Sequence, residues 1–80
     1  MSWPIEEFYV LQQKDPRSTR WDLIVKSYNK EDLRGQYINN IRRSTHIDVR
    51  IAKVFTFKDD NGDIQMRPIE ILEFRRGEDD

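Results

Sequence analysis

The 80-residue sequence contains no cysteine, a single histidine, three glycines and three prolines. Without cysteine there is neither a disulfide staple nor a thiolate cage, and one histidine leaves a transition-metal centre without its usual ligands. The glycines, at 35, 62 and 77, are too dispersed to form a phosphate-cradling loop. No apolar run approaches the roughly 20 residues that cross a bilayer. The opening residues, MSWPIEEF, lack the basic and apolar regions of a secretion signal, so a cytoplasmic location is expected. An excess of one charge is missing too. Fourteen Lys and Arg face fifteen Asp and Glu, a net charge of −1, which argues against bulk attraction to nucleic acid or to an anionic membrane.

Charge itself is abundant, at 36% of residues, and its bland reading is a solvated, mixed-sign surface. Aromatic and β-branched residues are frequent enough to fold the chain despite its polar average. Its length is that of one domain with a thin core, so 1–80 is taken as a single domain with flexible ends at about 1–4 and 75–80.

The spacing predicts a first strand over Ile5 to Gln12 and a turn at Lys14 to Thr19. A second strand follows, with Trp21, Leu23 and Val25 toward the core and Asp22, Ile24 and Lys26 opposite. A helix is expected to start at Asn29, with Leu33, Tyr37 and Ile41 as its apolar stripe and Ile38 widening it. From His46 to Lys58 the alternation is strongest. Ile47, Val49, Ile51, Phe55 and Phe57 share one face, and Asp48, Arg50, Thr56 and Lys58 the other. Lys53, Ala52 and Val54 break that pattern, which implies either a register shift or partial cover on both faces. Asp59-Asp60-Asn61-Gly62 is a hairpin turn signal. The last strand, about Ile64 to Phe74, changes parity between Met66 and Ile69. With Pro68 between them, it is expected to be an edge strand, bulged or broken. The order β-β-α-β-β implies an α+β fold, one helix packed on a four-stranded, mostly antiparallel sheet.

Chemistry-bearing constellations are few. His46 follows Ser44 and Thr45, but sequence adjacency does not create the nucleophile–base geometry of acyl transfer. An EF-hand alignment on Gly62 puts Phe57 and Pro68 at ligand positions and fails. No catalytic residue, metal site or cofactor is expected. Two kinds of binding surface remain. Trp3, Tyr9 and the edge strand at Pro68 suit a protein contact or an edge-to-edge homodimer. Arg34, Arg42, Arg43 and Arg50, with Thr56, Lys58 and Arg67 near the last, are the alternative, able to contact phosphates or base edges. The size, the plan and the lack of a catalytic signature resemble small accessory proteins of phages and other mobile elements. That resemblance implies a regulator or inhibitor of another protein, with a nucleic-acid-binding regulator as the alternative.

Overall fold

Period-two alternation in four segments and period-3.6 alternation in one yield the elements found in a computed structural model. It describes residues 4–78, with side chains for 6–78. The strands are β1 (Pro4–Lys14), β2 (Asp22–Ser27), β3 (Asp48–Lys58) and β4 (Ile64–Arg75), and the helix is α1 (Glu31–Arg43). They form one antiparallel sheet in the order β2-β1-β3-β4, with α1 on one face. The expected β-β-α-β-β plan is the one observed.

The helix face carries the main core. Leu11, Val49 and Ile51 from the two central strands meet Leu33 and Tyr37 of α1, with Tyr9, Val25, Ile41, Ile47 and Leu72 around them. Full burial of such side chains contributes about 1.5–3 kcal/mol each. Ile38 does not join; its side of the helix faces out. Capping differs from the simple N-cap expectation. Lys30 occupies the cap position without a side-chain bond, while Asn29 Oδ1 accepts the Glu31 N–H (3.0 Å) and Ser27 Oγ donates to Asp32 (2.9 Å). Thirteen helical residues span roughly 20 Å, whereas the eleven of β3 span roughly 36 Å. The helix therefore covers only part of the sheet, and Phe55 and Phe57 are left half-buried against each other.

Register explains the irregularities. The pairing of β1 with β3 runs unbroken from Glu6↔Thr56 to Lys14↔Asp48, so β3 alternates regularly throughout. One shift lies at the start of β1, between Pro4 and Glu6; the others lie between β3 and β4, where Leu72 and Ile69 are extra residues in the edge strand, and between β1 and β2, where Ile24 is extra. The two bulges resolve the parity change: that at Ile69 brings Ile71 to the side of Ile64, Met66 and Pro68, and that at Leu72 keeps Phe74 there, all on the face away from the helix. The bulge at Ile24 splits the second strand, so Val25 joins the helix-side core while Leu23 pairs with Gln12 on the opposite face. Trp21, Leu23 and Val25 thus do not share a core face. Trp21 instead contacts Phe74 and Arg50 on the helix-free side.

The segment 75–78, expected to fray, is anchored. The Arg75 guanidinium donates to the carbonyls of Ile41, Ser44 and Ile47, two of them carbonyls that the helix end leaves unpaired. Gly77 is buried, its N–H donates to Asp48 Oδ1 (2.6 Å), and Glu78 N–H donates to Thr45 O (2.7 Å).

Candidate functional site

On the helix-free face, the central strands expose no ordinary polar row. Phe8 and Val10 of β1 and Ala52 and Val54 of β3 form a second buried apolar cluster, although no helix lies above them. Val10 and Ala52 are 0% exposed. Cross-strand partners point to the same side of a sheet, so the register places Leu23, Gln12, Arg50 and Phe74 in one row of this face. Lys26, Val10, Ala52 and Ile71 form the next, and Phe8, Val54 and Pro68 the third. Bulges deepen the local twist of both edge strands. The large residues therefore sit at the margins: Leu23 (51% exposed) on β2, and Phe74 (51%), Ile71 (45%) and Met66 (39%) on β4. Large exposed apolar groups gathered on one face beside a buried apolar floor mark a contact surface more often than scattered single residues do.

Polar groups border the patch in a fixed way. Arg50 lies over the Trp21 ring at 4.1 Å and donates from Nε to Gln12 Oε1 (2.8 Å). Burial draws its pKa down from the usual arginine value. Lys26 lies 5.2 Å from the Phe8 ring centroid, and Phe8 meets Tyr28 edge-on at 6.2 Å. The Tyr28 hydroxyl donates to Glu6 (2.5 Å), and that hydrogen-bonded carboxylate raises the phenol pKa. Asp48 pairs with Lys14 at 2.9 Å. Burial alone would raise its pKa. The hydrogen bonds from Lys14 and the Gly77 N–H, with the charges of Lys14 and Arg76, outweigh burial and hold it below the usual carboxylate value.

The sequence-predicted residues are distributed as follows. Trp3 lies outside the described residues. Tyr9 packs against the helix-side core and is no exposed anchor. Pro68 lies on the edge strand, exposed, opposite Val54 and beside the Ile69 bulge. Arg34 reaches Glu73 at 3.9 Å across the helix side, and Arg42 and Arg43 are exposed at the end of the same helix. Arg50 is on the opposite face, so the four arginines form no single surface. Arg67 takes the helix-side register of Phe55 and stacks near Phe57 at 5.5 Å, away from Arg50 and Lys58. Lys53 meets Glu7 at 3.5 Å and keeps a third of its side chain in solvent. His46 lies in a shallow groove of about 330 Å³ with Asp15, Arg17, Arg76 and Glu78, its Nδ1 3.3 Å from the Glu78 carbonyl. No hydroxyl or thiol side chain lines that groove among the described residues.

Leu23 and Ile71 escaped the sequence reading because their face depends on bulges; Phe74, Met66 and Lys26 escaped it because no alternation along one strand shows which residues meet on that face. The available signal was Ala52 and Val54, small apolar residues alternating out of phase with Ile51 and Phe55. Among the described residues, no group of three or more His, Asp and Glu could hold a metal ion. No helix there is long and apolar enough to cross a membrane. No protein-family model, curated protein or solved structure matches the chain.

Proposed function

We propose that this chain is a non-enzymatic interaction module, a regulator or inhibitor that acts by docking on another protein through its helix-free sheet face. The carrying observation is the half-exposed group of Leu23, Met66, Ile71 and Phe74 above the buried floor of Val10, Ala52 and Val54. A broad apolar surface without an enclosing cleft suits a macromolecular partner better than a small molecule, which needs a concave site. Docking on the face fits better than pairing along the β4 edge as a homodimer. Pro68 and two bulges interrupt the hydrogen-bonding groups that another strand would need. The same reading accords with a small cytoplasmic accessory protein of a phage or mobile element.

Nucleic-acid binding through Arg34, Arg42, Arg43 and Arg50 is the weaker reading, because Arg50 and the helix arginines lie on opposite sides of the sheet. Quantitative affinity capture from expressing cells tests the choice, using the native chain, an Ile71→Asp/Phe74→Asp face variant and an Arg42→Ala/Arg43→Ala helix variant. A nuclease-resistant protein partner lost only with the face variant is expected. Loss with the helix variant, or with nuclease, refutes the proposal.

A further inference from the structure

We propose that the partner presents an acidic protein surface, an apolar centre bordered by carboxylates. This rests on reading the helix-free face as the docking surface. The charges on that face are unevenly settled. Its register positions carry the cations Lys14, Lys26, Arg50 and Lys58 and the carboxylates Glu6 and Asp48, a balance of +2 on a chain of net charge −1. Both carboxylates are committed, Glu6 to the Tyr28 hydroxyl and Asp48 to Lys14 and the Gly77 N–H. Among the described residues, Lys26, Arg50 and Lys58 have no carboxylate within salt-bridge distance. Arg50 is half-buried with only its Nε hydrogen-bonded, and Lys26 flanks the Val10 and Ala52 floor. A cation at the margin of a desolvating apolar contact is stabilised by a carboxylate from the partner and penalised by another cation.

The same arrangement disfavours two other occupants. A second copy docked face to face would bring together two surfaces of the same +2 balance, a net like-charge juxtaposition. Single-stranded nucleic acid needs open aromatic faces for its bases. Here Trp21 is covered by Arg50 and Phe8 is buried, and the two exposed aromatics, Tyr28 and Phe74, lie at opposite edges of the sheet rather than in a row on which successive bases could stack.

The test uses two synthetic amphipathic peptides of identical Leu and Phe pattern, one with Asp and Glu at the polar positions and one with Lys, together with an oligothymidylate. Binding to the full isotope-labelled chain is read from amide shift changes, and association from sedimentation. The acidic peptide is expected to shift Val10, Ala52, Ile71 and Phe74. Its affinity should fall on the order of tenfold or more in Lys26→Glu/Lys58→Glu, both solvent-exposed positions, with the variant's fold checked by its amide spectrum. Equal binding of both peptides at this face overturns the acidic assignment while sustaining the docking surface. Binding by neither peptide overturns the assignment and counts against the docking surface too. Preference for the lysine peptide or the oligothymidylate, or a dimer that occupies the face, also overturns it.

Discussion

Replacing Gly77 by alanine is expected to destabilise this protein as severely as many core truncations, although the substitution adds a single methyl group. A Cβ at this position would lie 2.7 Å from three backbone atoms, His46 C, Ile47 C and Ile47 N. Backbone atoms cannot rotate aside as a side chain can, so the segment at 76–78 must lift away. The N–H of Gly77 then leaves Asp48, a charge-assisted hydrogen bond whose loss costs about 1.5–3 kcal/mol. The bond from Glu78 N–H to Thr45 O adds about 1 kcal/mol. Undocking also sets the ceiling, since the chain can leave the site sooner than bear more strain. The expected loss is about 2–4 kcal/mol, which lowers the melting temperature by roughly 10–30 °C in a domain of this size. Total stability is itself only a few kcal/mol, so the variant is expected to be partly unfolded at 37 °C. Urea titration followed by tryptophan fluorescence, with a thermal melt by circular dichroism, measures the change. A variant within about 0.5 kcal/mol of the parent refutes the docked geometry.

Gly35 is the informative opposite: an added Cβ there meets nothing within 4 Å, so Gly35→Ala is expected to stabilise by about 0.5–1 kcal/mol in the same titration. Because the folded pKa of Asp48 is depressed, its contribution is present above the unfolded value near 4 and lost as pH falls through the folded one. Asp48→Asn should therefore destabilise at pH 7 and flatten the acid limb of stability against pH; an unchanged acid limb contradicts this. Val10→Ala is expected to cost about 1–3 kcal/mol, close to Val49→Ala on the helix side, whereas an exposed-surface value would dissolve the second apolar cluster. Arg75→Ala should lose about 2–4 kcal/mol, since three carbonyls lose one donor, and hydrogen exchange should quicken at Ser44 and Asp48.

Local pattern was enough for the elements and their order. The Leu33, Tyr37, Ile41 spacing specifies a helix, and the odd-numbered apolar residues from Ile47 to Ile51 specify the strand beneath it. Asn61-Gly62 closes the second hairpin, with Gly62 at φ 83° and Asp59 Oδ1 accepting the N–H groups of Asn61 and Asp63. These depend on neighbours along the chain, which a sequence displays directly. Pro68, which has no N–H to donate, likewise signals an edge strand, a bulge or a break on its own, and the strand proves to be a bulged edge.

What only the tertiary structure decided was the side on which each apolar residue falls. One extra residue reverses every later side chain of a strand, and the bulges at Ile24, Ile69 and Leu72 are set by pairing with partners distant in sequence. They carry Leu23 and Ile71 to the face opposite the helix and return Phe74 to it, whereas Arg50 lies there through the regular alternation of β3. Ala52 and Val54 hinted in the sequence that both faces are covered. The candidate docking surface, assembled from the margins of two edge strands, is therefore a product of long-range register and could not be read from alternation along any single strand.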